Sequence, residues 1–369
     1  MADRLARAMR GFETTVVTPD SAGAEAFDRA SGLATRRTPV PGGSGRAGVV
    51  ALNAGAVRQG LDIRPQVTLN LHVVASPAAA FLRSRVRAPT VQYFHANEIV
   101  DKRRLSVFAA ARADAVIAVS AYCRELLADA GAATAEVRLI PPGVDLPSPA
   151  GAGGPPGADC RQPPTVLTIA RLENRYKGHD VLARALVAVR ERVADVRGVV
   201  IGDGSLRAEL EGLVRSLGLE HAVSFLGAVS DQLRDEWLAR CDVFAMPSRL
   251  PADGLAGEGF GMVYLEAAAR GKPVVAGRAA GAPDAVLDGQ TGLLVDPTDP
   301  DAVARAVAEL LCDQPLARRL GAAGATRARE FAWPHIAARV EALLLEQVAG
   351  AAGTRRGERS PRHGAQAVR

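Results

Sequence analysis

The chain has 369 residues, nearly half of them apolar, which is room for two domains of roughly 150 residues with a core in each. A net charge of +5, much of it in the last residues, and only 4% aromatics, with no basic patch interleaved with them, argue against a nucleic-acid partner. No stretch approaches the ~18 uncharged apolar residues of a membrane span, and MADRLARAMRG at the start lacks the apolar core of a secretion signal.

Short β-branched runs alternate with longer amphipathic ones. In the first half the predicted strands are FETTVVTP (12–19), LATRRTPV (33–40), QVTLNLHV (66–73), TVQYFHA (90–96), DAVIAVS (114–120) and EVRLIPP (136–142). Helical spacing lies between them, as in KRRLSVFAAARA (102–113) and AYCRELLADAGA (121–132). FLRSRVRAP (81–89) is basic and part apolar. It reads as a solvated helix face, with contact to an anionic membrane surface as the alternative. Then comes PSPAGAGGPPGADCRQPP (147–164), dense in Pro, Gly and Ala and without hydrophobic period, the mark of a linker.

The alternation restarts with strands TVLTIARL (165–172), VRGVVIGDG (196–204), VSFLGAV (223–229), DVFAMPS (242–248), KPVVAG (272–277) and GLLVDP (292–297). Helices are predicted over 181–194, 206–218, roughly 260 to 270, 300–311 and 333–348, before a basic tail from 354 that reads as disordered. The pattern predicts an α/β fold of two doubly wound, Rossmann-like halves facing a cleft, with no internal repeat. Such sheets bind ligands beyond the carboxyl ends of their strands, so the residues just after each strand are the ones to inspect.

Four places carry chemistry-bearing residues there. In GEGFGMVYLEAAARGKPVVAG (257–277), Glu258 precedes a glycine-rich bend and Glu266 lies in the helix that follows. Gly259 and Gly261 let a ligand approach the backbone, the first helical N–H groups attract anions, and a carboxylate suits paired sugar hydroxyls. A capping acid and an ordinary helix-face glutamate would look the same. In ARLENRYKGHD (170–180), Arg171 ends a strand and Lys177 follows in its loop; two cations there would clamp a diphosphate, or lie solvated. Asp180 reads as a helix cap and His179 as exposed. GDGS (202–205) is a strand-end turn with Gly202 and Gly204, a weak signal alone. In QYFHANE (92–98), His95 and Glu98 close a first-half strand. His72, flanked by apolar residues, reads as a satisfied core histidine, and His221, His335 and His363 as surface residues. Cys123, Cys160, Cys241 and Cys312 form no C-x-x-C and stand at no metal-ligand spacing from a histidine; they read as free thiols of a reducing cytosol.

Taken in order, these clusters resemble the retaining glycosyltransferases of family 4, of GT-B fold. The E-x7-E pattern reads as Glu258-GFGMVYL-Glu266, the strand-loop signature as Arg171-Leu172 with Lys177-Gly178, and the continuation 269–297 follows the family closely. The likeness is strong over 165 to 349 and looser over 12 to 145. It implies an acceptor-side domain 1–147, a linker 148–163, a nucleotide-sugar domain 164–332, a last helix 333–349 packing back on the first domain, and a disordered tail 350–369. It implies that Glu266 holds the donor ribose, Glu258 contacts the donor sugar near its anomeric carbon, Arg171 and Lys177 bind the diphosphate, Gly259, Phe260, Gly261 and Met262 offer backbone N–H groups, and His95 lies beside the donor sugar. Gly202 and Gly204 join the donor-binding set. No cofactor and no metal is implied; the donor is a GDP- or UDP-linked sugar. Within the family, EGFGMVYLEA and GAPDAV (281–286) look most like bacterial phosphatidylinositol-mannoside and exopolysaccharide mannosyltransferases. The expected partners are the nucleotide sugar and a glycan, lipid-linked or small-molecule acceptor, the expected location the cytoplasm, with peripheral contact at the inner membrane face an open alternative. A nucleotide-sugar-binding protein without turnover, or another GT-B enzyme such as a sugar-nucleotide epimerase, are the competing readings.

One departure stands out. Family members open with a strand, a glycine-rich loop and a helix, whereas this chain opens with DRLARAMRG, like the end of that helix. Either the start is misplaced by ~20–35 residues, the size of a βα unit, or the unit is truly lacking. The first sheet is expected to be short.

Overall fold

The β-branched runs form strands where their spacing predicts them. A computed structural model describes residues 1–40, 45–132, 136–147, 163–251 and 256–358. In the first half, β1 (Thr15–Pro19) and β2 (Ala34–Thr38) make a parallel pair, while β3 (Thr68–Asn70), β4 (Thr90–Phe94), β5 (Ala115–Ala118) and β6 (Val137–Leu139) make a parallel sheet in that order. No ladder joins β1 to β3, so the strands of this half fall into two sheets. The helix Arg46–Ile63 spans them: Gln59 Nε2 donates to Thr38 Oγ1 beside β2, and Asn53 bonds Val74 O and Ala78 N beyond β3.

The second half builds one six-stranded parallel sheet from β7 (Thr165–Ile169), β8 (Arg197–Ile201), β9 (Val223–Gly227), β10 (Val243–Met246), β11 (Val274–Gly277) and β12 (Leu293–Val295), in the order β9-β8-β7-β10-β11-β12. Strand order reverses between β7 and β10, and that is where a doubly wound sheet opens a crevice. Helices cover both faces, which is why β10 reads as the unbroken apolar run Val-Phe-Ala-Met, every residue fully buried. Leu210 and Val214 of the predicted 206–218 stripe are buried on one face; on the other the core is continuous with that of the first half through Phe260, Tyr264, Phe331 and Trp333.

The chain returns to the first half at its end. Val144 N donates to Phe331 O, and the helix Trp333–Glu358 lies against the opening helix Ala2–Ala8. Glu341 of the long helix accepts from the backbone N–H groups of Arg10 and Gly11, and Arg339 donates to Leu139 O at 2.6 Å. That helix runs past 348 and through the first residues of the predicted tail, where AGAAGTRRGE holds no proline to stop it. The helix predicted over roughly 260 to 270 is shorter, Met262–Ala268. The predicted linker lies almost wholly outside the described residues, as do Cys160, His363 and residues 359–369.

Candidate active site

The loop after β7 is shaped by glycines on its neighbour. Leu172 N donates to Asp203 O and Leu206 N to Leu172 O, so the GDGS turn after β8 lies flat on residues 170–172. Gly202, at φ 134°, has the Ala170 carbonyl oxygen 1.9 Å from where a Cβ would stand, and Gly204, at φ 154°, has that of Leu172 at 2.5 Å. Only glycine fits there. Arg171 projects from this loop into solvent, 3.6 Å from Glu173.

The same loop then tightens into the 3-10 turn Arg175–Lys177, closed by Gly178 at φ 76° against the Pro247 carbonyl. Arg249 N donates to Tyr176 O, tying the turn to the end of β10 across the reversal point. Lys177 Nζ lies 2.5 Å from Glu258 Oε2, with both side chains less than a fifth exposed, and stands 5.1 Å from the Tyr176 ring centroid. Two residues of two separate motifs are thus one ion pair.

Two expectations are corrected here. His179 is buried, not exposed: the turn at Gly178 directs it inward, beside Thr168. Burial, and next the Lys177 charge, push its imidazole down to about 4, so it is neutral, and its Nε2 has no hydrogen-bond partner. Asp180 is not a cap: both its oxygens accept from the Arg249 guanidinium at 2.9 Å. Gly178 holds the cap position instead.

Glu258 is carried on a loop fixed at three successive residues. Gly257 N donates to Tyr122 Oη at 3.1 Å, Gly281 N to Glu258 O at 2.8 Å, and Cys123 Sγ contacts Gly259 O at 3.7 Å. Gly261, at φ 91°, begins the helix. The Phe260 ring turns away into the core against Phe331, centroids 5.6 Å apart, while Met262 stays 40% exposed. Glu266, the fifth residue of the helix, sits among Arg234, Arg270 and Asp235. Burial pushes its carboxyl up, and the two guanidinium groups pull it back.

Across the crevice, β4 delivers His95. Its ring stacks on Tyr93 at 5.4 Å, and burial first, then His72, push its imidazole down to about 4, so it too is neutral. Buried Glu98 accepts from His95 N and from Val73 N, each at 3.0 Å, clasping the ends of β3 and β4 together. Burial pushes this carboxyl up to about 7. His72 departs from expectation: the strand breaks before it, so it is half-exposed rather than core, with Nδ1 accepting from Val74 N and 3.4 Å from Glu98. Ala96 brings this end of β4 to the Glu258 loop, its Cβ 3.5 Å from where a Cβ on Gly259 would lie.

The structure therefore gathers Lys177, Glu258, Gly259 and the His95 turn at one place, with Arg171 earlier on the Lys177 loop and Gly202 and Gly204 on the adjoining turn after β8. Glu266 stands apart in its own arginine cluster. Two residues that hold the Glu258 loop, Tyr122 and Cys123, carried no signal of it in sequence, since each acts on a segment far along the chain.

The family model described as Glycosyl transferases group 1 matches residues 160–327, and that described as Glycosyltransferase Family 4 matches residues 1–147. The chain is 34% identical over 364 residues to the GDP-mannose-dependent alpha-(1-6)-phosphatidylinositol monomannoside mannosyltransferase of Mycobacterium tuberculosis, covering 91% of this chain and 90% of that one. With the Mycolicibacterium smegmatis protein of the same name it shares 41% identity over 244 residues, 63% of this chain and 62% of that one. That second alignment spans less than two thirds of the relative. In structure it resembles Anabaena HepE in complex with UDP and glucose, at TM-score 0.76 and 23% identity over 93% of this chain and 94% of that one. It also resembles sucrose-phosphate synthase of Thermosynechococcus elongatus, at TM-score 0.72 and 21% identity over 91% of this chain and all of the other. With a two-domain Rossmann-like architecture, both family models in order and relatives along nearly its whole length, the chain belongs to glycosyltransferase family 4 and is a glycosyltransferase of GT-B fold.

Proposed function

We propose that the protein is a retaining transferase that moves a hexose, mannose before others, from a nucleotide-diphosphate sugar to a lipid-linked, glycan or small-molecule acceptor, without a metal ion. The observation that carries the reading is the Lys177–Glu258 pair at the β7–β10 reversal point, facing the His95 turn. In this reading Lys177 and Arg171 take the diphosphate and stabilise charge on the leaving group, the part a cation plays elsewhere. Glu258 turns to the donor sugar, Glu266 takes the ribose hydroxyls, and Gly202 and Gly204 serve the donor through the tight turn that lies on the loop bearing Arg171. Gly259, Phe260, Gly261 and Met262 contribute backbone N–H groups; the buried Phe260 ring leaves it only that role. Neutral His95 exchanges a hydrogen bond with a sugar hydroxyl. The acceptor attacks on the face the nucleotide leaves, through an oxocarbenium-like state, and the departing phosphate oxygen takes the acceptor proton.

The preference for GDP-mannose, and for an acceptor of the phosphatidylinositol-mannoside kind, rests on the named activity of the mycobacterial relatives. The UDP bound to HepE keeps a UDP donor as the comparison. No helix among the described residues is long and apolar enough to cross a membrane. The test is a thermal-shift titration with GDP, UDP and ADP, with Glu266→Ala as control, followed by transfer from GDP-mannose to phosphatidylinositol monomannoside. Stabilisation by GDP that the variant loses, with a product of retained configuration, is expected. Equal response to all three nucleotides, or an unaffected variant, would overturn the donor assignment.

A further inference from the structure

The helix Ala121–Asp129 of the first domain begins against the second domain, and its first turn is satisfied from there. Within its own domain, Ser120 Oγ accepts from Cys123 N at 3.0 Å, the usual cap. Of the N–H groups that this cap leaves over, that of Ala121 donates to the carboxylate of Asp284 at 3.0 Å from 163 residues away, and that of Tyr122 lies near enough to the same carboxylate to pull its pKa back from the rise that burial causes. Asp284 is itself anchored: Arg327 donates to the carbonyl oxygens of Asp284 and Ala285.

From this docked turn two side chains reach the loop that carries Glu258. The Tyr122 hydroxyl takes the N–H of Gly257, on one side of Glu258, and the Cys123 thiol meets the carbonyl of Gly259, on the other. Among the described residues the second domain supplies the middle backbone bond, Gly281 N to Glu258 O, beside the Lys177 ion pair at the side chain, and it admits no side chain at Gly281, where a Cβ would stand 2.2 Å from Gly259 O. The peptide units flanking Glu258 are therefore held by the opposite domain.

We propose that Tyr122 and Asp284 are positioning residues for Glu258, and that its loop takes its working shape only while the first turn of the Ala121–Asp129 helix is seated on Asp284. The inference rests on the reading of Glu258 and Lys177 as donor residues. It adds a coupling: a ligand held by Glu258 draws on the Tyr122 contact, which exists only with the helix seated, so its binding and this docking stabilise each other. Neither residue touches the donor.

The test uses the full chain and the variants Tyr122→Phe, Asp284→Ala and Asp284→Asn, with Glu258→Gln and Lys177→Ala as markers of the donor site. GDP and GDP-mannose binding are measured by calorimetry, and the radius of gyration by small-angle scattering with and without nucleotide. Tyr122→Phe and Asp284→Ala should each weaken GDP-mannose binding about five- to tenfold, the cost of one or two lost hydrogen bonds. They should also widen the nucleotide-saturated particle, while the melting temperature without ligand stays near that of the parent. Asp284→Asn, which keeps an acceptor oxygen, should recover part of the affinity. Parental affinity and dimensions in Tyr122→Phe and Asp284→Ala, alongside weak binding in Glu258→Gln, would overturn the positioning role and leave the donor assignment standing. Parental binding in Glu258→Gln and Lys177→Ala would instead defeat the donor assignment. Scattering would then decide the latch alone, unchanged dimensions counting against it.

Discussion

Lys177 Nζ and Glu258 Oε2 meet at 2.5 Å across 81 residues of chain, one from the turn after β7 and the other from the loop before the Met262–Ala268 helix. Each holds the other's charge in a largely buried place, so a ligand that engages either must compensate its partner. A diphosphate does so for Lys177, and sugar hydroxyls donating to the carboxylate do so for Glu258. Lys177→Ala is expected to lower kcat by about a hundredfold or more, the scale of removing one preorganised charge from a transition state. Steady-state transfer kinetics check this, and a variant within a factor of two of the parent would remove Lys177 from the reaction.

Acid stability should turn on buried groups of opposing sign. Glu98 is pushed up to about 7, so the folded chain keeps its proton where the unfolded chain, near the ordinary 4.5, has lost it. Its contribution is full below 4.5 and fades as pH rises through 7, on the order of 3 kcal/mol in all. His95 and His179, pushed down to about 4 from 6.5, contribute above 6.5 and lose that as pH falls through 4. Glu266, also pushed up by burial but less far, adds to the glutamate side, and the two wide histidine shifts still make stability rise with pH between about 4.5 and 6.5. Glu98→Gln removes the larger opposing contribution and should steepen the rise. Urea unfolding of parent and variant at several pH values reads both slopes, and parallel slopes would contradict the burial of Glu98.

Glycines at positive φ need not be equal. Gly202→Ala would press a methyl onto the Ala170 carbonyl, whereas Gly218→Ala, at φ 68°, meets nothing within 4 Å. The second should cost about 1 kcal/mol, backbone strain alone. The first should cost about 2–4 kcal/mol and displace the turn bearing Arg171. Denaturation of the two variants, with GDP titration of each, separates them.

Cys123 and Cys241 are buried, and burial pushes both thiols up to about 12, whereas Cys312 is exposed. Brief alkylation of the native protein at pH 8, followed by peptide mapping, should mark Cys312 and spare Cys123 and Cys241 until denaturant is added.

Local pattern carried the strands well. Runs such as TVLTI and VFAM are bounded by Gly, Pro and Asp and are too short for helices, so their place in a parallel sheet follows from sequence. Helix Arg46–Ile63 escaped because RAGVVALNAGAVRQGLDI mixes glycine and alanine with polar residues on every face. The histidine errors share a cause: flanking residues say little about which way a strand end or a turn points, and tertiary contacts sent His179 inward and His72 outward. Arg171, Lys177, Glu258 and Glu266 were each legible as chemistry at strand or helix ends. That Lys177 and Glu258 bond each other, while Glu266 faces Arg234 and Arg270, depends on side-chain reach across the fold. The reach of Tyr122 and Cys123 to the Glu258 loop was invisible for the same reason.

The division of the first domain's strands into two sheets has a kinetic consequence. Backbone bonding couples β3 through β6 into one ladder, whereas among the described residues β1 and β2 are tied to it through the helix Arg46–Ile63, with Gln59 toward Thr38 and Asn53 toward Val74 and Ala78. Such a ribbon opens as its own cooperative unit, at a lower free energy than the global transition. Amide protons of Val16, Val17 and Thr35 should therefore exchange with solvent well ahead of those of Val91, Tyr93 and Ile117, and Gln59→Ala should widen the interval.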